Sequence, residues 1–258
     1  MGKTMEGKKG LIMGVANEKS SAWEIAKRLD EEGAKLGFTY QNEEVGKKAL
    51  PLFEEIGAEF YTELDVTDDD NFEQAFKQVE EAFDGELDFI VHAIAGGPSR
   101  EDLKGMYKDT SRESFLRTME ISAYSFVKAV QMGYPMMKGR DATAITLSYY
   151  GAEKVVPNYN VMGVAKSALE SSVRYLADDL GSEGIRVNAL SPGPMLTRAA
   201  SGISDFRKLL RKCGERASME RLVEKEEVAS SALYLLSDLS SGVTGEVIHV
   251  DCGFSIQA

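Results

Sequence analysis

Residues 10–22 read GLIMGVANEKSSA, and the reading of this stretch decides the fold. Gly10–Val15 is a short apolar run that ends at a turn, the pattern of a buried strand. The turn is built from small residues (Gly14, Ala16, Ser20, Ser21 and Ala22) and leads directly into an amphipathic segment, Ser21–Glu32. A strand feeding a helix through such a loop is the opening half of a βαβ unit.

The same rhythm continues outward. Further apolar runs lie at Lys35–Tyr40, Glu59–Leu64, Leu87–Ile94, Ala142–Ser148, Ile185–Leu190 and Glu246–Val250. They are rich in Val, Ile, Leu and Phe and show little alternation, which suits strands buried on both faces of a parallel sheet. Helical patterns separate them: Glu43–Ile56, Asp68–Phe83, Ser111–Met132, Tyr159–Leu180 and Glu224–Leu239. The alternation predicts a doubly wound, Rossmann-type α/β fold, a seven-stranded parallel sheet with helices on both faces. We expect one domain over residues 1–258. The stretch 193–218 breaks the rhythm and carries its own helical pattern, so it is expected to form a lid over a site.

Composition narrows the function classes. The chain has 258 residues, 43% hydrophobic and 28% charged, with a formal net charge of -12. Such an acidic chain has no general attraction for nucleic acid or anionic membranes, so an acidic partner would need a local basic patch. Cys213 and Cys252 are far apart and fit no metal-binding spacing, which reads as two free thiols. The N-terminus lacks the apolar core of a signal peptide, and no run reaches the length of a membrane span. A cytoplasmic protein is expected. Gly2-Lys3-Thr4 lacks the upstream glycine of a phosphate loop.

Ligands of doubly wound sheets bind beyond the C-terminal strand ends, at helix N-termini that favour phosphate. A dinucleotide would therefore meet Gly14, Ser20 and Ser21 after the first strand, although the G-x-G-x-x-G pattern is absent. After the second strand, Gln41-Asn42-Glu43-Glu44 carries no cation for a 2′-phosphate, which favours NADH over NADPH. Asp65 and Val66 follow the third strand and are placed to touch the adenine. His92–Gly97, with Ile94 and Gly97, closes the fourth strand with small residues that admit a ligand. The two histidines, His92 and His249, each sit in an apolar strand and read as packed, hydrogen-bonded groups rather than bases.

The fifth strand runs into Tyr149-Tyr150-Gly151, then Pro157-Asn158-Tyr159 and the next helical pattern. Tyr159 and Lys166 are seven residues apart. At about 100° per residue they differ by roughly 20° around a helix, so both would share a face. The ammonium would lower the phenol's pKa and hold cofactor hydroxyls. A second string, Tyr150 to Lys154, contains Gly151 and precedes Pro157, so it is not expected to be helical.

At this point the chain resembles the short-chain dehydrogenase/reductase superfamily, and more closely its enoyl-acyl-carrier-protein reductases. The resemblance rests on residues 157–166, 185–194, Thr197, 199–203, Thr244-Gly245-Glu246 and 250–253. The pair Tyr159 and Lys166 matches that family's Tyr-x6-Lys pattern, and Tyr149 matches its second active-site tyrosine. The resemblance implies NADH-dependent reduction of trans-2-enoyl thioesters, with Tyr159 as enolate donor, Lys166 on the cofactor ribose and Tyr149 near the thioester. It implies that Met195, Leu196, Thr197, Arg198 and Ala199 contact the cofactor. Gly97, Tyr149, Tyr159, Ile203 and Phe206 would line the acyl site. It also implies a homotetramer and an acyl carrier protein partner, for which Arg207, Lys208, Arg211 and Lys212 offer a basic patch. Two departures stand out: Gly96 lies where many relatives carry an aromatic, and Glu120 and Ser122 where the wider superfamily uses an Asn. Two rivals remain, a short-chain ketoreductase and a non-catalytic NADH-binding protein.

Overall fold

In the computed structural model, residues 3–195 and 206–257 are described, with backbone alone for residues 206–209. Seven strands form one parallel sheet: β1 Lys9–Met13, β2 Lys35–Tyr40, β3 Phe60–Glu63, β4 Phe89–His92, β5 Thr143–Leu147, β6 Arg186–Pro192 and β7 Val247–Val250. Their order is β3-β2-β1-β4-β5-β6-β7, and every neighbouring pair is parallel. The order reverses between β1 and β4, the position at which such sheets open a crevice.

The helices α1 Ser21–Glu31, α2 Glu43–Glu55 and α3 Asp69–Ala82 follow the first three strands as the periodicity predicts. Asn42 and Asp68 cap α2 and α3, each side chain accepting a backbone N–H three residues on. Those bonds satisfy donors that a helix start leaves free. α4 Arg100–Lys104 was not anticipated; it is short, and Ser99 closes it with a capping box against Asp102. The expected single helix over Ser111–Met132 is α5 Arg112–Met119 and α6 Ser125–Met137 joined through one π turn, Glu120–Tyr124. Its far end passes the expected boundary by five residues. The remaining helices are α7 Val161–Gly181, α8 Phe206–Arg216 and α9 Lys225–Leu236.

Two apolar cores flank the sheet. On one side α1, α2 and α9 contribute Trp23, Ile25, Leu29, Phe53, Val228 and Leu235 against Ile12 and Phe38. On the other, α3, α6 and α7 contribute Phe72, Phe76, Phe126, Leu169 and Val173 against Leu11, Met13 and Val187. The inner strands are accordingly buried on both faces. The edge strands depart from that expectation: β3 alternates in burial and β7 is half-buried throughout. Each has a neighbour on one side only, so the packing helices do not fully cover it.

Candidate functional site

The loops at the C-terminal ends of β1 to β4 enclose a cavity of about 320 Å³. It collects Gly14, Gln41, Asp65, Val66, Ile94 and Gly97, six of the residues expected to meet a dinucleotide or its substrate. Gly14 has φ +99°, and a Cβ there would lie 2.4 Å from the Ala93 carbonyl oxygen. The loop therefore approaches β4 closely enough to require glycine. This cradle fits a dinucleotide, because Gly14, Ala16, Ala93, Ala95, Gly96 and Gly97 let a ligand come close to the backbone at the strand ends. At the β2 end the wall is Tyr40, Gln41 and Val45, without a cation.

Ser20 and Ser21 are not part of that lining. The Ser20 hydroxyl is already used: it accepts from the backbone N–H of Ala16 at 3.0 Å and of Asn17 at 3.2 Å. It shapes the loop rather than facing the cavity. Asp65 is similarly committed, its carboxylate accepting from the Thr67 N–H and hydroxyl at 3.0 and 2.8 Å. Sequence reasoning missed Arg117 and Ile121, which close the cavity from α5 and the π turn. Their signal was absent because they sit just over a hundred residues from Gly14, on a helix interrupted by the π turn. That turn also brings Ser122 under Gly96. Its hydroxyl accepts from the Gly96 N–H at 2.9 Å and donates to the Gly96 carbonyl at 2.7 Å. π turns of this kind recur at functional sites.

A second cluster lies at the end of β5. Tyr149 and Tyr159 meet edge to face, ring centroids 5.0 Å apart and planes at 67°. Lys166 is 4% exposed, and its ammonium donates to the Leu147 carbonyl at 2.7 Å. The shared-face argument needs correction. α7 begins at Val161, so Tyr159 stands before the helix, in a turn where Asn158 and Asn160 have φ +61° and +39°. Asparagine tolerates positive φ better than most residues; Asn160, with ψ -119°, lies outside the left-handed helical well and is held there by its side chain. The turn is fastened by the Asn160 amide, which donates to the carbonyls of Asp102, Leu103 and Gly105 at 2.9, 3.1 and 2.7 Å. Gly151 makes room for the ring: a Cβ there would lie 2.4 Å from Tyr159 Cδ1.

The electrostatic expectation is also corrected. Burial raises the Tyr159 phenol well above its ordinary value and pushes Tyr149 up to about 12. The Lys166 ammonium does not lower either, since it is turned to the Leu147 carbonyl. Both phenols stay neutral and able to donate. Burial instead draws Lys166 down to about 8, against the opposing pull of the Glu170 carboxylate.

His92 is a packed group, as its context suggested, whereas His249 on β7 is half-buried. His92 is fully buried, its ring nitrogens 3.0 Å from the Thr146 hydroxyl and 2.8 Å from that of Ser125. His249 Nε2 lies 2.6 Å from Glu153. The string Tyr150 to Lys154 is not a helical pair: Tyr150 opens a 3₁₀ turn and packs on Phe254. Met195 packs against the core that holds α1 and α9. Leu196, Thr197, Arg198, Ala199 and Ile203 lie outside the described residues, as do the side chains of Phe206, Arg207 and Lys208.

Comparison with known proteins agrees with this arrangement. A family model described as enoyl-(acyl carrier protein) reductase matches residues 14–255. The enoyl-acyl-carrier-protein reductase (NADH) 1 of Rhizobium meliloti is 55% identical over 250 residues, 97% of this chain and 91% of that protein. Among solved structures, an enoyl-acyl-carrier-protein reductase of Anaplasma phagocytophilum in complex with NAD superposes with a TM-score of 0.94. It is 49% identical and covers 99% of this chain and 97% of its own. The Bacillus cereus enoyl-acyl carrier protein reductase, solved with NADP+ and indole naphthyridinone, gives 0.95 at 44% identity and covers 100% of both chains. A match that runs from the β1 loop through β7, around a cavity and a tyrosine pair at the strand ends, places the chain in the enoyl-acyl-carrier-protein reductase family.

Proposed function

We propose that this chain reduces the carbon–carbon double bond of trans-2-enoyl thioesters on acyl carrier protein, with NADH as reductant, in the last reductive step of fatty-acid elongation. The observation that carries the reading is the edge-to-face pairing of two half-buried, neutral phenols at the end of β5, the strand end to which the buried Lys166 ammonium is also bonded. When bound, NADH supplies a hydride for the β-carbon of the substrate. Negative charge then develops on the thioester oxygen, and a neutral phenol donates to it without giving up its proton beforehand. Tyr159 takes that role, and Tyr149 orients the thioester from the edge of the Tyr159 ring or assists protonation at the α-carbon; that proton, drawn in the end from solvent, collapses the enolate to the saturated thioester. Lys166 holds the nicotinamide ribose. Gly14, Gln41, Asp65, Val66 and Ile94 receive the adenosine and phosphate end, with Met195–Ala199 near the nicotinamide. Ser20 shapes the phosphate loop through its hydroxyl, and Ser21 at the start of α1 is proposed to meet the cofactor phosphates. Ile203, Phe206 and Gly97 border the acyl chain under a lid at 193–218.

The absence of a cation after β2 supports NADH. The Bacillus cereus relative was solved with NADP+, so direct titration with both cofactors is the measurement that separates them. Further parts of the reading are a cytoplasmic location, docking of acyl carrier protein at Arg207, Lys208 and Arg211, and a homotetramer. Among the described helices none is long and apolar enough to cross a membrane. Leu116, Tyr124 and Tyr175 stand exposed on α5, the π turn and α7, and subunit association would cover such side chains.

The test follows NADH oxidation with crotonyl and acetoacetyl thioesters in parallel. Turnover of the enoyl substrate alone supports the reading. Turnover of the ketone alone supports a ketoreductase, and none supports a binding protein. Tyr159→Phe is expected to lower kcat on the order of 10²-fold, and Lys166→Ala to weaken NADH binding. Full activity in both variants would overturn the assignment.

A further inference from the structure

The helix α7 sends a second buried charge to the strand end that carries Tyr149. Glu170 is one turn beyond Lys166, on the same helix face, and is 8% exposed. Its carboxylate accepts from the Ser148 hydroxyl at 2.5 Å. Ser148 is itself buried, lies between Leu147 and Tyr149, and its N–H donates to the Leu190 carbonyl of β6 at 2.7 Å. Two adjacent residues are thus tied to one helix: Leu147 through Lys166, and Ser148 through Glu170. A buried carboxylate of this kind costs free energy unless it is paired, so its presence here calls for a role.

We propose that Glu170 is a positioning residue for the Tyr149, Tyr159 and Lys166 site: it anchors the strand end from which Tyr149 projects and to which the Lys166 ammonium bonds, and it places a carboxylate one helical turn from Lys166. The proposal rests on the reading of Lys166 given above. Its electrostatic part has a definite sign. Lys166 faces Glu170 on its own helix and His92 on β4, and burial of the ammonium favours its neutral form. The Glu170 carboxylate opposes that loss of charge. Glu170 in turn faces Ser148 at the end of β5, Glu153 in the following turn, His249 on β7 and Arg174 on α7. Burial, the strongest influence, raises the Glu170 carboxyl above its ordinary value and Glu153 adds to this, while the Ser148 hydroxyl, His249 and Arg174 oppose it. Lys166 is cationic below about 8, and removing the carboxylate moves that limit to lower pH.

The experiment measures NADH affinity by nicotinamide fluorescence, and kcat/KM with a crotonyl thioester, across pH for four proteins. Glu170→Gln keeps an acceptor for Ser148 but removes the charge. Its alkaline limb, in both readouts, is expected about one pH unit below that of the unmodified chain, while Glu170→Asp restores the limb. Superimposable profiles for Glu170→Gln and the unmodified chain would overturn the proposal. Should Glu170→Gln fail to fold, Ser148→Ala serves instead. It is expected to lower kcat several-fold with the alkaline limb unmoved, and behaviour equal to the unmodified chain would again overturn the proposal. Lys166→Ala tests the underlying reading separately. An alkaline limb that survives in this variant assigns the titration to another group, and the roles of Lys166 and Glu170 then both fall.

Discussion

Gly14 and His92 show how single residues set limits on this fold. At Gly14 a methyl group has neither conformational room nor space, with φ +99° and a Cβ position 2.4 Å from the Ala93 carbonyl oxygen. Gly14→Ala is expected to cost about 1–3 kcal/mol of stability, and to weaken NADH binding more than it lowers turnover at saturation. Denaturant titration and fluorescence titration check the two parts. His92 is buried between two hydroxyls, and burial pulls it from 6.5 down to about 3. The folded state therefore excludes a proton that the unfolded chain accepts. Stability is complete above the unfolded value and falls as pH drops through the window between the two, by up to about 1.4 kcal/mol per unit. Urea midpoints measured between about pH 7 and about pH 5 should fall less steeply for His92→Gln than for the unmodified chain. Both residues were visible in the sequence as small or apolar-strand positions. Their partners, Ala93 for one and Thr146 and Ser125 for the other, were not.

At the scale of elements, the turn before α7 carries the site. The periodic pattern from Met162 to Leu180 identified the helix, but its extension back to Tyr159 was wrong. Asn158 and Asn160 leave the helical region, so Tyr159 is aimed by a turn instead of by helical repeat. Asn160 fastens that turn to the carbonyls around the end of α4, an element too short to leave a periodic signal. Asn160→Ala removes those bonds to half-buried and exposed carbonyls and is expected to cost about 0.5–1.5 kcal/mol. It should also lower kcat with little change in NADH affinity, since it loosens Tyr159 and not the cavity at β1 to β4. Steady-state kinetics beside fluorescence titration distinguishes this from a general loss of fold. The π turn is a second case. It was read as ordinary helix because one extra residue hardly disturbs an apolar pattern, yet it delivers Ser122 to Gly96 and brings Ile121 and Arg117 to the cavity wall.

At the scale of the whole molecule, a chain of net charge -12 must still engage an acidic carrier under the reading proposed here. Arg211 on α8 is exposed, and its nearest carboxylate, Glu215, is 3.7 Å away. Arg211→Glu, alone or with Arg207→Glu and Lys208→Glu, is expected to raise KM for the carrier-bound enoyl substrate and to spare crotonyl coenzyme A. The effect should shrink as salt rises, because exposed charges are screened. Equal effects on both substrates would count against docking there. By itself the sequence determined the parallel α/β architecture, the seven strands and the site's place at their C-terminal ends. These follow from local hydrophobic periodicity and turn chemistry, which act within a few residues. Tertiary structure alone decided which groups are already engaged and which remain to act. It bound Ser20 to its own loop, set Tyr149 and Tyr159 edge to face, turned Lys166 to Leu147 and joined Glu170 to Ser148. Hydrogen bonding and desolvation depend on neighbours brought together from distant parts of the chain, and the loop from GLIMGVANEKSSA meets its partners only in the folded sheet.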